Sequence, residues 1–515
     1  MTFLGKSIRV ALVAAAVAVV LPLSGCVSAF LPKQVTSSPV KEKVAAELEP
    51  FYTQVLTWSS CEKGAFQCAT ATAPMDWNNP ATDSIKLALI RHQASGTRLG
   101  SLLVNPGGPG ASGYSFVADS LDYAVDAKLK SSYDIVGFDP RGVNKSSAVK
   151  CYENPKDMDS FLYDISPHQV GSDAWIADQE SQSKKFGEAC LKYTGKLLGF
   201  VDTTSAARDL DMLRAILGDE KLNYLGYSYG TLLGSTYAEL YPKKTGHLVF
   251  DGVVDPATSD FDVTSMQARG FESALRAYLA DCLTGTKCPF TGSGLTGVSS
   301  AMTEIRALLS SLDASPLRAK DGRQLGSATM FNAIILPLYS RDNWQYLSQL
   351  FTDVMSGNAD YAFQLADSYN DRKPDGTYTD NQTEAFIAIN CLDYKSDHSV
   401  ETQRANAKKL DVLAPVFGPQ MSYGDTCGQW PFASKRDRVA IAAKGSAPIL
   451  VVGTTNDPAT PYAWAVNVSK ELQNGHLVTY KGEGHTAYNK SNSCVNNAVD
   501  DFLLHGTVPA TDPHC

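Results

Sequence analysis

A serine lies between two glycines in the segment Gly226-Tyr-Ser-Tyr-Gly230, and this spacing is the strongest chemical signal in the 515-residue chain. The apolar residues 222–225 before it predict a strand, and residues 230–241 after it predict a helix. A Gly-x-Ser-x-Gly turn between a strand and a helix lifts the serine hydroxyl above the sheet. The turn is tight, so side chains at the two glycine positions would collide there. We therefore predict that Ser228 is a nucleophile. The alternative is a strand–helix turn without chemistry.

A serine hydroxyl is a poor nucleophile at neutral pH and needs a general base, which is most often histidine. The best placed of the eight histidines is His485, which follows the predicted strand of residues 477–480. His476 begins the same strand and would lie at the opposite end of the sheet, whereas His505 and His514 are in the C-terminal tail. We therefore predict that His485 is the base.

The acid of such a group orients the imidazole and stabilises the imidazolium without taking the proton. Asp457 is the only carboxylate in residues 454–461, the loop after the predicted strand of residues 448–453. The chain order Ser228, Asp457, His485 is that of the catalytic triad of α/β-hydrolases. We predict that these three residues converge. A turn-forming Asn-Asp-Pro is the alternative interpretation of Asp457.

An oxyanion hole is also required, because negative charge develops on the attacked carbonyl oxygen. The glycine-rich segment Asn105-Pro-Gly-Gly-Pro-Gly110 follows a short apolar run and occupies the place of the glycine-rich loop of esterases. We predict the backbone N–H groups of Gly108 and Tyr229 as the donors, with Gly107 as the alternative to Gly108. A phosphate-binding loop is disfavoured, because no Gly-Lys-[Ser/Thr] follows.

Apolar runs and helical patterns alternate along most of the chain, and 44% of its residues are hydrophobic. This alternation predicts a mostly parallel sheet covered by helices, here of the α/β-hydrolase fold. From about residue 260 to 440 the strand signals stop and helical patterns dominate. We predict a hydrolase domain in two parts, residues 51–258 and 445–515, with a large helical lid inserted at residues 259–444. The predicted strands of the sheet include residues 85–91, 133–139, 222–225, 448–453 and 477–480.

The N-terminus has the pattern of an export signal. Lys6 and Arg9 precede a short apolar run, and Leu23-Ser-Gly-Cys26 resembles the bacterial lipoprotein box. We predict a signal peptide at residues 1–25, lipidation of Cys26 and a tether at residues 26–50. The protein would then be anchored to the outer face of the cell membrane. Ordinary secretion with an incidental Cys26 is the alternative.

The number of cysteines also indicates an exported protein, and the net charge restricts the classes of partner. Ten of the eleven cysteines remain without Cys26, and an even set in an exported chain predicts five disulfides. Zinc is disfavoured because no Cys-x-x-Cys pair occurs, and the net charge of -9 disfavours a nucleic-acid partner. Sequence order suggests the pairs Cys61/Cys68, Cys151/Cys190, Cys282/Cys288, Cys391/Cys427 and Cys494/Cys515.

Seven short motifs together resemble the tripeptidyl-aminopeptidase branch of the proline-iminopeptidase-like α/β-hydrolases. The likeness extends from about residue 55 to the C-terminus. One departure is that proline iminopeptidases begin the oxyanion loop with histidine, where this chain has Asn105. The motifs are Asn105-Pro-Gly-Gly-Pro-Gly, Asp139-Pro-Arg-Gly, Gly226-Tyr-Ser-Tyr-Gly-Thr, Asp251-Gly-Val-Val-Asp-Pro, Asn390-Cys-Leu-Asp, Asn456-Asp-Pro-Ala-Thr-Pro and Gly484-His-Thr.

The resemblance implies an exported serine peptidase that releases short N-terminal peptides, with tripeptides as the expected products, and that needs neither a metal nor an organic cofactor. Asp255 and Asp393 lie in the motifs and are candidates to bind the substrate ammonium, although a structural role is equally compatible with each. A carboxylesterase or lipase with the same triad is the alternative function, and a binding protein without catalysis is a third hypothesis. A monomer is the default expectation.

Overall fold

The computed structural model describes residues 35–291, 297–395, 397–422 and 426–515. Residues Thr36–Cys515 form one compact unit. The predicted signal peptide and Cys26 lie outside the described residues. In the described part of the chain, no helix is long and apolar enough to cross a membrane.

The strands form one large sheet and a short separate hairpin. In the large sheet the order from β2 to the far edge is β2-β3-β4-β6-β5-β7-β8-β11-β12, and β9 pairs with β10. The strands are β1 (Val35–Thr36), β2 (Thr57–Cys61), β3 (Phe66–Pro74), β4 (Ser84–His92), β5 (Gly100–Asn105), β6 (Tyr133–Phe138), β7 (Leu222–Tyr227), β8 (Thr245–Asp251), β9 (Leu317–Arg318), β10 (Gln324–Leu325), β11 (Ile449–Asn456) and β12 (Gly475–Glu483).

Most neighbouring strands of the large sheet are parallel. Each pair from β6 to β12 is parallel, whereas β2, β3, β4 and β6 pair in antiparallel fashion. Every residue of β5 and β6 is buried, as expected for strands that are covered on both faces. The register places Asn105 opposite Gly226 and Tyr227 opposite Asp251, so the carboxyl ends of β5, β7 and β8 lie together. The α/β-hydrolase fold that the sequence predicts is confirmed.

Helices connect the strands and make up most of the segment between β8 and β11. The helices are α1 (Glu49–Tyr52), α2 (Gly113–Ala124), α3 (Ala127–Ser132), α4 (Pro155–Tyr163), α5 (Asp173–Thr194), α6 (Thr203–Leu217), α7 (Tyr229–Leu240), α8 (Asp260–Cys282), α9 (Val298–Ala314), α10 (Ser327–Leu338), α11 (Trp344–Met355), α12 (Asp360–Tyr369), α13 (Gln382–Asp393), α14 (Val400–Leu413), α15 (Gly418–Met421), α16 (Tyr462–Glu471) and α17 (Ser493–His505).

We call residues 259–444 the helical insertion. Helices α8 to α12 have their own apolar core, to which Phe271, Ile334, Leu347 and Phe351 contribute buried side chains. A second and larger core lies at the sheet. Because the insertion buries its own apolar side chains, it has a source of stability that does not depend on the sheet.

Five disulfides cross-link the described residues, in the pairs that sequence order suggests. Two close short local loops, and Cys391–Cys427 joins the end of α13 to a later turn of the helical insertion. The bonds are Cys61–Cys68, Cys151–Cys190, Cys282–Cys288, Cys391–Cys427 and Cys494–Cys515.

The described part of the predicted tether is packed rather than extended. Val40, Val44 and Leu48 lie against the core at the sheet, and the Glu42 carboxylate accepts a hydrogen bond of 2.6 Å from Arg214. The sequence contains the reason, because apolar residues recur every four positions from 40 to 48. Residues 40–48 thus pack against the core at the sheet.

The motif Asp139-Pro-Arg-Gly is structural. Arg141 is fully buried and forms two hydrogen bonds, of 2.7 and 2.6 Å, with the Asp209 carboxylate. Its remaining N–H groups donate to backbone carbonyls of Pro74, Met75 and Phe200. A buried charge is tolerated only when it is paired and hydrogen-bonded in this way.

The C-terminal tail pairs with β12 at the edge of the sheet. Thr479 N–H donates to Pro513 O at 2.9 Å, and Cys515 N–H donates to Thr479 O at 2.7 Å. The disulfide Cys494–Cys515 fastens this tail to the first turn of α17. The tail therefore covers part of β12.

Two partly buried carboxyl groups, at and before α13, are expected to make stability depend on pH. Burial raises the pKa of Glu384 from 4.5 to about 7 and that of Asp371 from 3.8 to about 6, with Asp380 adding to both. A raised carboxyl pKa favours the folded state at low pH, and that stability is lost as pH rises through the folded pKa. We expect Glu384→Gln to raise the Tm by about 2 °C at pH 8 and not at pH 4. Calorimetry checks this, with the exposed Glu188→Gln as control; equal gains at both pH values would contradict it.

Candidate active site

Ser228 occupies a strained turn between β7 and α7. Its φ and ψ are 55° and -127°, a region that non-glycine residues rarely adopt. Its N–H donates to Asp251 O at 2.9 Å, which ties the turn to the end of β8. A Cβ on Gly226 would lie 2.6 Å from Gly230 O, so this position requires glycine. The turn thus has the backbone form of a nucleophile elbow.

His485 and Asp457 are in direct contact. His485 Nδ1 lies 2.9 Å from both carboxylate oxygens of Asp457. Because a carboxylate accepts, Nδ1 carries the proton and Nε2 keeps a free lone pair, which is the tautomer of a general base. The structure therefore brings together the predicted base and acid.

The Asp457 carboxylate is fixed by several donors. It is almost fully buried, and it accepts backbone N–H groups from Ala459 at 2.9 Å, Thr460 at 2.8 Å and Thr486 at 3.1 Å. The Thr460 hydroxyl also donates to it at 2.9 Å. These bonds connect the loops after β11 and β12, so the acid also holds the two loops together.

Asp251 connects the turn at Ser228 with the loop that carries His485. Its carbonyl holds Ser228 N–H, and its buried carboxylate accepts the N–H groups of Ala487 at 3.0 Å and Tyr488 at 2.8 Å. Burial raises the pKa of Asp251. Asp251 lies in one of the sequence motifs, but the motif alone predicts no role for it. Asp251 ends β8, which lies next to the strand that leads to Ser228, and this position is the signal that could have indicated a role.

The residue after Asp251 also lies at this junction. Gly252 has φ +69°, and a Cβ there would lie 3.2 Å from His485 Cε1 and 3.0 Å from Thr460 Oγ1. Glycine at position 252 therefore leaves room for His485 and Thr460, directly after the residue that binds Ser228 N–H.

The glycine-rich loop after β5 passes beside Ser228. A Cβ on Gly107 would lie 2.8 Å from Ser228 Cβ and 3.1 Å from Tyr229 N. Gly107 N–H donates to Asn105 Oδ1 at 3.0 Å, so it is already engaged. Gly108 lines the same cavity as Ser228 and Tyr229. Of the two glycines, Gly108 is therefore the better placed to donate to an oxyanion.

A cavity of about 610 Å³ opens at Ser228 between the sheet and the helical insertion. Its walls mix apolar and polar side chains and come from the loop after β5, from α7 and from α8, α13 and α14. Members of the wall include Pro109, Leu232, Val254, Asp260, Phe261, Gln267, Phe386, Asn390, Tyr394, Asp397, Gln403, Asn406, Thr460 and Trp464.

Asp255 and Asp393 are not among the residues that line this cavity. Asp255 Oδ1 accepts the N–H of Ala257 at 2.9 Å within its own turn. Asp393 is fully buried, where burial raises its pKa, and it accepts Thr203 N–H at 3.1 Å at the start of α6. The structure thus gives both carboxylates structural partners, and neither lines the cavity at Ser228.

Thr460 is a site residue that the sequence analysis missed. Its hydroxyl donates to Asp457 Oδ2 at 2.9 Å and lies 3.2 Å from His485 Nδ1. Its spacing of three residues from Asp457, in a Pro-rich turn, was a weak signal because threonine is common in turns.

We expect Thr460→Val to lower kcat/KM about tenfold or more, because a hydrogen bond to a charged group contributes about 1.5–3 kcal/mol. Steady-state kinetics measure this. Thr460→Ser keeps the hydroxyl and is the control, with activity expected within about threefold of wild type. Wild-type kinetics for Thr460→Val would contradict the assigned contact.

Several known proteins are similar to this chain. A family model described as TAP-like protein matches residues 414–515. The serine protease Hip1 of Mycobacterium tuberculosis is 35% identical over 488 residues, which cover 91% of this chain and 92% of that protein. Carboxylesterase B of the same species is 35% identical over 480 residues, or 89% of each chain. The tripeptidyl aminopeptidase of Streptomyces lividans is 29% identical over 473 residues, which cover 89% of this chain and 86% of that protein. The resemblance predicted from the motifs is thereby confirmed.

Proposed function

This chain belongs to the family of TAP-like α/β-hydrolases, and from that premise we propose that it is an exported serine peptidase releasing short N-terminal peptides. The observation that carries the proposal is the His485–Asp457 pair, at 2.9 Å, anchored beside a strained Ser228 turn that opens into a cavity. Tripeptides are the expected products.

The proposed reaction proceeds through an acyl-enzyme. His485 Nε2 takes the proton from Ser228 Oγ, which attacks the carbonyl carbon of the peptide bond. The backbone N–H groups of Gly108 and Tyr229 stabilise the oxyanion. The intermediate collapses as His485 donates its proton to the leaving amine. His485 then takes a proton from water, which attacks the acyl carbon, and returns that proton to Ser228 Oγ as the bond to the acyl group breaks.

The cavity supports a short acyl group. A volume of about 610 Å³ is within the range of sites that enclose small ligands. We propose that the helical insertion acts as a lid that limits how many residues fit before Ser228. Asp260 and Asp397 are carboxylates of the cavity wall, so an N-terminal ammonium bound within the cavity would meet one of them rather than Asp255 or Asp393.

Export is part of the proposal. The leader of residues 1–25, the Cys26 box and five disulfides in the described residues agree with an oxidising compartment. We propose that lipid on Cys26 anchors the protein to the outer face of the bacterial membrane and that a peptide or protein is its substrate.

A carboxylesterase is the second candidate function. Carboxylesterase B is as similar to this chain as the serine protease Hip1 is, at 35% identity. The catalytic groups do not discriminate between the two, because esters and amides share a tetrahedral intermediate.

Mass spectrometry of the products from a defined peptide set tests the proposal. Substrates are tripeptide arylamides with free or acetylated N-termini, longer peptides and short-chain aryl esters. We expect tripeptides to be released from free N-termini and acetylation to slow turnover by about tenfold or more, since it removes an ionic hydrogen bond. Turnover of esters alone would establish the carboxylesterase instead, and cleavage within acetylated peptides would exclude an exopeptidase.

A further inference from the structure

Tyr339 lies in the helical insertion, directly after α10, and contacts the proposed catalytic base. Its carbonyl oxygen accepts the backbone N–H of His485 at 2.8 Å. Its ring meets the imidazole edge to face, with centroids 5.4 Å apart and an interplanar angle of 75°. We propose that Tyr339 is a positioning residue that holds His485 in the orientation needed for proton transfer. This inference rests on the proposed role of His485.

The approach of the two segments explains the glycine before His485. Gly484 has φ +99°, and a Cβ on it would lie 3.0 Å from Tyr339 O. A side chain at this position would therefore be strained and would push the insertion away from the loop after β12. The glycine of the Gly484-His motif thus leaves room for the Tyr339 backbone to lie against the loop after β12.

Tyr339 is itself held firmly by the helical insertion. Its ring packs edge to face against Phe271 of α8, with centroids 5.7 Å apart. Tyr369, at the end of α12, lies near its hydroxyl group. Because Phe271 of α8 packs against the ring, the ring has a fixed place beside the imidazole.

Two residues hold His485 in place. Asp457 fixes the Nδ1 end of the ring, and Tyr339 fixes the backbone and blocks rotation of the ring on one side. A displacement of about 1 Å at a reacting group can cost about 10²-fold in rate. Its backbone and ring contacts with His485 are the route by which we expect Tyr339 to affect catalysis.

Labelling of Ser228 by a fluorophosphonate probe, together with kcat and KM on the best substrate, tests the proposal. We expect Tyr339→Leu to lower the labelling rate and kcat by about 10- to 100-fold with KM within about twofold. Tyr339→Phe keeps the ring and should stay within about threefold of wild type.

The matched control is Phe351→Leu. Phe351 is a buried aromatic residue of the same apolar core, and its ring partners are Tyr278 and Phe290 rather than Tyr339. It should lower the Tm without changing the labelling rate. If Tyr339→Leu fails to fold by circular dichroism, Tyr339→Met replaces it, with the same expected loss.

Wild-type labelling of a folded Tyr339→Leu or Tyr339→Met variant would overturn the inference. So would an equal loss in Phe351→Leu, because the effect would then come from general destabilisation of the insertion. An unlabelled wild-type protein would instead overturn the proposed function, so the two failures are distinguishable.

Discussion

Ser228→Ala is expected to lower hydrolysis by a factor of about 10⁴ or more and to abolish fluorophosphonate labelling. The substitution removes the attacking oxygen and keeps the Cβ, so the turn between β7 and α7 retains its backbone contacts. Its N–H still donates to Asp251 O, a contact that ties the turn to β8. We therefore expect the Tm and the circular dichroism spectrum to stay close to those of wild type.

Ser235→Ala is the matched control for that experiment. Ser235 is buried in α7, and its hydroxyl donates to Leu232 O at 3.1 Å within the helix. Its loss should leave kcat/KM within about twofold. If Ser228→Ala retained more than a small percentage of wild-type activity in a preparation free of other hydrolases, Ser228 would not be the nucleophile.

Asp457→Asn is expected to lower kcat by about 10³- to 10⁴-fold. An asparagine amide can donate its NH₂ group to His485 Nδ1. This contact favours the tautomer that carries the proton on Nε2, and a protonated Nε2 cannot accept a proton from Ser228. The substitution is nearly isosteric. Stopped or continuous assays with the substrate that the mass-spectrometry experiment identifies would measure the loss.

Asp255→Asn provides the comparison for Asp457→Asn. Both aspartates accept a backbone N–H two residues later, at 2.9 Å in each case, but only Asp457 contacts a histidine. We expect Asp255→Asn to stay within about threefold of wild-type activity. Similar losses in both variants would mean that turn geometry, rather than the His485 contact, explains the effect.

The sequence predicts the sheet well from β4 onward, because most of these strands are buried and their apolar runs are short and bounded by turn residues, whereas β2 and β3 are not predicted. Residues 133–139 and 85–91 correspond to β6 and β4 within one residue at either end. The strand after the helical insertion is longer than predicted and ends at Asn456. The polar residues at the end of this strand still pair with β12, and local hydrophobicity does not predict that pairing.

The proposed catalytic residues are also accessible to sequence reasoning, since each follows a strand at the same edge of the sheet. The supporting residues are not. Tyr339 and Thr460 are ordinary residues by type, and both contact His485 through long-range packing. Tyr339 comes from the insertion, and Thr460 comes from the loop after β11. Asp393 shows the converse, since a motif carboxylate turned out to be bonded to Thr203 at the start of α6.

The pairing of the C-terminal tail with β12 bears on the protein's behaviour in concentrated solution. An open strand edge offers unpaired N–H and C=O groups to other chains and invites association. Here Pro513 and Cys515 occupy the backbone groups of Thr479, and the bond to Cys494 keeps them there. A chain shortened by its last three residues would lose this protection and would be more prone to aggregate.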